Sequence, residues 1–420
     1  MLELVSKLPQ NENDLLSFSL DELARLGAKK ILIKALSLEV EQYINKSKDL
    51  MDDQGKRLVV RNGKAKERKV TVGSGTIKVK APRVNDRREG EKFSSKILPP
   101  YLRKSPNIES ILPILYLKGL SGNAFVDGLK ELLGDDVGGL SSSSISTLKR
   151  SWEKELKTWN QRDILEEFIY LWCDGVHVPV RLGDNKKASL LVVVGVNRKG
   201  EKKLLSVVGG YRESTLSWKE IFLSLIKRGL KPPLMIIGDG GLGLWSAIRE
   251  IEKFREVKEQ RCWVHKIANV LDKLPKKLQA QAKKVLHEIM RAPDRTEAGI
   301  QLKLFKDLFS DKYVSAYNCL EKDWKELTAF YDFPAKHWTS IRTSNPIEST
   351  FATVKLRTKS MRGAGSVNAA EAMAFKLLKE AEKKWRQIRG WQEIENLLRG
   401  DIYIDGKLVQ SSSTNQEVVA

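Results

Sequence analysis

Between residues 165 and 265 the apolar positions fall into short runs of strand length, separated by turn residues. Runs at 168–173 and 176–180 flank Asp174-Gly175, and runs at 190–196 and 203–208 are joined by Asn197-Arg198-Lys199-Gly200. Apolar residues then recur at helical spacing over 217–229. A run at 234–238 leads into a second helical pattern at 243–253, and a last short run covers 261–264. Residues 266–335 are helical in pattern and rich in lysine. Two more helices follow, from near Pro346 to Arg357 and from Val367 to Gln387.

Three hairpin-linked strands, then helix, strand, helix and strand, is the element order of a ribonuclease H-like core. The expected fold is α/β, a mixed five-stranded sheet with flanking helices, interrupted by an all-helical insertion. Upstream, residues 1–50 read as helical without a motif. Residues 56–104 hold two β patterns, 57–61 before Asn62-Gly63 and 76–81 after Gly73-Ser74-Gly75. In the second, Ile77, Val79 and Ala81 alternate with Lys78 and Lys80, so one face packs and the other presents lysines. Residues 106–160 read as three helices, at 107–118, 123–133 and from the serines at 141–144 to Trp159. Their tight turns suit a helix-turn-helix as well as a plain bundle. The expected organisation is a basic N-terminal region with β-hairpins (1–104) and a helix-turn-helix-like DNA-binding domain (105–164). The core (165–265), the insertion (266–335), the C-terminal core helices (336–400) and a disordered tail (401–420) follow.

Charge sharpens this picture. The 420 residues carry 74 Lys and Arg against 53 Asp and Glu, a net charge of +21. Residues 56–104 alone supply +12 of it. Such density predicts a polyanionic partner, double-stranded DNA ahead of a membrane surface. Lys78, Lys80 and Arg83 are the candidates there. The most apolar stretch, 190–196, is too short to span a bilayer. The N-terminus has no basic-then-apolar signal, and three cysteines fit a reducing compartment. A cytoplasmic, nucleoid-associated protein is expected.

The stretch "LMIIGDGGLGLWSAI" (234–248) fits the dinucleotide-binding pattern at Gly238, Gly240 and Gly243. Its context argues otherwise. The turn follows antiparallel-type strands, Glu256 and Glu259 some 20 residues on lie in a charged helical pattern, and Asp239 would repel a pyrophosphate. The alternative is an Asp at the carboxyl end of a central strand, with glycines that admit close approach. Asp174 is either half of an Asp-Gly hairpin turn or an acid on the first core strand, with a bulge at Gly175. Glu348 is either the N3 partner of a capping box behind Asn345 and Pro346 or an acid facing a site. Ile347, Phe351 and Val354 share the apolar stripe of its helix, whereas Glu348, Ala352 and Lys355 share another face. Three converging carboxylates in a basic protein want a hard cation, Mg²⁺ or Mn²⁺. Two ions about 4 Å apart suit phosphodiester chemistry.

"DGVHVPVR", "IGDGGLGLW", "QRCWVHKIANVLDKLPKK" and "RTSNPIESTFATVKLRTKSMRGAGS" stand in the order of the motifs of Mutator-type DDE transposases of bacterial insertion sequences. The chain resembles that family over most of its length. The resemblance implies catalytic, metal-holding acids at Asp174, Asp239 and Glu348. It also implies binding of terminal inverted repeats, cleavage of 3′ ends by water, joining to target DNA, and a circular intermediate. Strand exchange at two ends implies a homodimer or higher assembly. Cys262 and His265 match the family's C-x-x-H. Zinc needs about four ligands and no second Cys/His pair at metal spacing is present. The pair is therefore either packed structure or support for the site. Arg342, Lys355, Arg357, Lys359 and Arg362 surround Glu348, as a DNA clamp or a solvated helix face. The rival readings are a ribonuclease H-like nuclease without strand transfer, a catalytically inactive DNA-binding regulator, and a nucleotide-dependent oxidoreductase.

Overall fold

The computed structural model describes residues 18–108, 130, 142–181, 187–210, 213–360 and 364–410. Apart from residues 107, 108 and 130, the first two predicted helices of the 106–160 region, and the turn between them, lie outside these. The chain forms two compact units, 1–148 and 149–420.

In the first unit, helix α1 (Leu20–Lys46) opens with a reciprocal capping box between Ser19 and Glu22. Four strands follow: β1 (Val59–Lys64), β2 (Arg68–Val72), β3 (Gly75–Val79) and β4 (Pro82–Asp86). β2 and β3 pair antiparallel across Gly73-Ser74, and β1 pairs antiparallel with β4. Asn62-Gly63, expected as a turn, lies inside β1, where the register slips between Arg61 and Lys64. A left-handed Gly63 accommodates that irregularity. Leu36, Val70, Ile77, Val79 and Leu98 form the core. Lys78, Lys80 and Arg83 face outward.

The second unit follows from helix α2 (Ser142–Asn160), inside which the division falls. Its sheet holds β5 (Phe168–Pro179), β6 (Lys187–Asn197), β7 (Lys202–Gly210), β8 (Met235–Gly238) and β9 (Lys258–Arg261), in the order β7-β6-β5-β8-β9. β5 pairs antiparallel with β6 and parallel with β8, which is parallel to β9. β5 is central and covered on both faces, which is why its first half reads as one apolar run. On one face Leu171, Cys173, Leu191, Val193 and Ile236 pack under α3 (Thr215–Lys227) and α4 (Leu242–Arg249). On the other, Tyr170 and Trp172 reach later segments. The Tyr170 hydroxyl is 2.7 Å from His337 Nδ1, and Trp172 Nε1 donates to the Thr343 carbonyl at 3.2 Å.

The fifth strand is shifted from its expected place. It is Lys258–Arg261, in the charged stretch that reads as helix, and 263 onward is α5 (Trp263–Leu271). The reason is Gln260. Its buried amide donates to the carbonyls of Arg261 and Leu327 and accepts from Phe330 N–H at 2.8 Å. Polar positions can therefore sit in this edge strand. Glu259 is held by Arg249 at 2.7 Å, remote from the role of a ribose ligand.

Four further helices follow, α6 (Lys276–Arg291), α7 (Arg295–Glu321) and α8 (Trp324–Leu327) within the helical stretch 266–335, and α9 (Trp338–Ile341) beyond it. The chain returns to the sheet with α10 (Asn345–Ser360) and α11 (Val367–Glu382). α11 seals the outer rim of β7. Glu371 accepts from Gly209 N–H at 2.5 Å and Glu382 from Leu204 N–H at 2.7 Å. Arg162 and Arg228 donate to the carbonyls of Leu204 and Leu205. After α12 (Ile394–Leu398), strands β10 (Ile402–Ile404) and β11 (Lys407–Gln410) form a hairpin, against the expectation of a disordered tail from 401. Asp405 and Gly406 both take positive φ, the turn that closes a two-residue hairpin. Tyr403 is buried beneath it. Residues 411–420 lie outside the described part. No helix among the described residues is long and apolar enough to cross a membrane.

Candidate functional site

Asp174 lies within β5, and no hairpin turn forms at Asp174-Gly175. The strand runs on, with its register slip near Phe168 instead of at Gly175. Cys173 pairs with Gly238 of β8, so Asp174 and Asp239 occupy the next positions of adjacent parallel strands. In open α/β sheets this carboxyl end is where sites form. Asp174 is 6% exposed, and one carboxylate oxygen accepts from Gly175 N–H at 2.8 Å.

Asp239 Oδ1 accepts from Gly241 N–H at 2.8 Å, an Asx turn that folds the loop before α4. The glycines serve packing. A Cβ on Gly240 (φ +81°) would lie 1.9 Å from Arg261 Nη1. One on Gly243 would lie 2.7–2.9 Å from the backbone of Glu213, Ser214 and Thr215. The room expected for a pyrophosphate is taken by an arginine and a helix start. Gly243→Ala is accordingly expected to destabilise the protein by about 1–3 kcal/mol, since backbone cannot step aside. Urea unfolding of the variant measures it.

Glu348 sits in the first turn of α10, which begins at Asn345, one residue earlier than expected. Ser344 therefore stands before the helix, and its hydroxyl donates to Glu348 Oε1 at 2.6 Å. The same Oγ lies 3.1 Å from Cys262 Sγ, and the Ser344 backbone N–H donates to that sulfur at 3.2 Å. His265, on the first turn of α5, places Nδ1 3.8 Å from Glu348 Oε1. Ligand atoms of Cys262, His265 and Glu348 fall within 4.8 Å of one another. The cysteine, however, is wholly buried, with the backbone N–H and hydroxyl oxygen of Ser344 already against its sulfur.

The electrostatics tie the group together. Burial pushes the Asp174 carboxyl up to about 7; the His265 charge opposes this, and the charges of Asp239 and Glu348 add to it. His265 is raised to about 9, first by its hydrogen bond to Cys262, against burial, with Asp174 and Glu348 assisting. Near neutral pH the cluster holds an imidazolium beside carboxyls that repel one another. Asp174 is the buried member of the group, and Asp239 and Glu348 are half-buried.

The basic candidates divide. Lys355 is exposed beside the site. Arg342 is half-buried, with Nη1 donating to the Met290 carbonyl at 3.0 Å. Arg357 is buried. The apolar stripe of Ile347, Phe351 and Val354 continues onto it at helical spacing, which corrects its placement on a clamp surface. The Lys359 side chain and Arg362 lie outside the described residues. Sequence reasoning missed Ser344, Arg261 and Asp323. Ser344 carried a cap signal, but the other two carried none.

Comparison with known proteins identifies the family. The model of the Mutator family of transposases matches residues 2–388. The transposase of insertion sequence element IS6120 from Mycolicibacterium smegmatis is 43% identical over 72% of this chain and 93% of its own length. That of element IST2 from Acidithiobacillus ferrooxidans is 42% identical, over 67% of this chain and 94% of its own length. The transposase of element IS256 in transposon Tn4001 from Staphylococcus aureus is 27% identical over 76% of this chain and 80% of its own. The chain belongs to the Mutator family of transposases.

Proposed function

We propose that this insertion-sequence transposase cuts and joins DNA at a centre formed by Asp174, Asp239 and Glu348, on a ribonuclease H-like core. The observation that carries the reading is the placement of Asp174, within β5, level with Asp239, which directly follows the parallel neighbour β8. Glu348 and His265 are close enough to act on the Asp174 charge. The three carboxylates would hold Mg²⁺ or Mn²⁺, two ions per site. When bound, such ions activate an attacking water or 3′ hydroxyl and stabilise the leaving oxygen of a phosphodiester. Ser344 fixes the Glu348 rotamer, and the His265 imidazolium supplies positive charge where a scissile phosphate would lie. Lys355, Lys78 of β3 and Lys80 just beyond it meet the DNA backbone. The ends bound are the terminal inverted repeats of the element, and two copies of the chain hold two ends.

The test uses DNA flanking the gene, with the protein and Mg²⁺ or Mn²⁺. Cuts at a discrete end followed by joined products are expected, and each is lost when Asp174, Asp239 or Glu348 is changed singly to Ala. Cuts without joining leave a nuclease. Binding without any cut leaves a regulator.

A further inference from the structure

Arg261 closes β9, and its side chain crosses to the neighbouring strand's loop. Nη1 donates to the Gly240 carbonyl at 3.1 Å and lies 2.9 Å from Asp323 Oδ2. The same Asp323 oxygen pairs with Lys266, whose side chain is wholly buried. Asp323 stands between α7 and α8, within the helical insertion. Two cations therefore share one carboxylate in the interior, directly behind the turn that carries Asp239. Gly240 takes a left-handed conformation there, and any Cβ would strike the guanidinium. The Gly240 carbonyl belongs to the peptide whose N–H, that of Gly241, donates to Asp239 Oδ1, so an arginine that holds the carbonyl while paired to a carboxylate fixes the donor on Asp239.

We infer that Arg261 is a positioning residue for Asp239, and that Asp323 of the insertion anchors it. The inference rests on the proposed acidic centre. The insertion then completes the geometry of the metal-holding loop, besides any contact it makes with DNA. Removing Asp323 leaves two buried cations unneutralised, and the arginine is drawn off the loop.

Two variants of the full chain test this, Arg261→Gln and Asp323→Asn, each checked for folding by its thermal melt. Arg261→Lys serves as the conservative variant. In protein without metal, amide exchange of residues 240–244 is expected to quicken about tenfold in both, while exchange in β5 is unchanged. The Mn²⁺ concentration for half-maximal cleavage is expected to rise about tenfold, with most of the rate recovered at saturating Mn²⁺. Arg261→Lys should fall between. A merely structural loss would lower the rate without moving the metal requirement. Unchanged loop exchange, or a quickened loop with an unchanged Mn²⁺ requirement, overturns the inference while wild type still cleaves. If wild type shows no metal-dependent cleavage, the acidic centre itself is wrong and the positioning role falls with it.

Discussion

Asp239→Asn is expected to abolish strand cleavage and joining while leaving binding of the element's ends nearly intact. Asparagine keeps the shape of the side chain and an oxygen for the Gly241 N–H, so the Asx turn and the start of α4 persist. What disappears is the negative charge that would hold a cation at the strand end. Loss of such an electrostatic contribution costs about 10³-fold or more in rate, roughly 4 kcal/mol of transition-state stabilisation. A gel for nicked and joined products reads the first effect and a mobility shift on end DNA reads the second. Cleavage that survives would remove Asp239 from the centre. Loss of end binding along with cleavage would make it a fold residue.

The second large effect concerns Asp174. Its carboxyl titrates near 7 in the folded chain and near 3.8 when unfolded. A raised acid favours its neutral form, so metal-free protein loses this part of its stability as pH climbs from about 4 to about 7. The full penalty, on the order of 4 kcal/mol, is present above that. Asp174→Asn removes the penalty. The inactive variant is therefore expected to be more stable than wild type at pH 8 without metal, and the two should converge near pH 4. Denaturant melts at the two pH values measure the difference. The same titration governs a cation, because the acid must lose its proton to bind one. Affinity for Mn²⁺ should fall about tenfold for each pH unit below about 7. A pH-independent gap between wild type and variant would show that burial does not disfavour the Asp174 charge.

Much of the sheet and its acids was legible because the sheet is buried on both faces. Apolar runs of strand length marked β5, β6, β7 and β8, and Asp174 and Asp239 stood out by interrupting them. β9 was not legible. An edge strand needs few apolar residues, and the buried Gln260 that fixes it looks on paper like one more polar residue of a charged helix. The same limit hid the groups around the acids. Ser344 is one serine among several, and Arg261 is one of 74 basic residues. Asp323 meets Arg261 and Lys266 from the end of a distant helix, a packing that no local pattern encodes. Arg357 failed in the opposite direction, because charge alone suggested a surface and the helix's own periodicity turned it inward.

The rim of β7, closed by Glu371, Glu382, Arg162 and Arg228, bears on how copies of this protein meet. An open strand edge invites another chain to add a strand, and two copies brought together on neighbouring DNA ends would meet at high local concentration. Here the amides of Leu204 and Gly209 and the carbonyls of Leu204 and Leu205 are already spoken for by side chains of the same molecule. At the other end of the sheet, Gln260 fastens the 327–330 segment alongside β9. At these positions both rims of the five-stranded sheet are closed to an added strand, so the backbone hydrogen bonds that could extend it there are already used within the molecule.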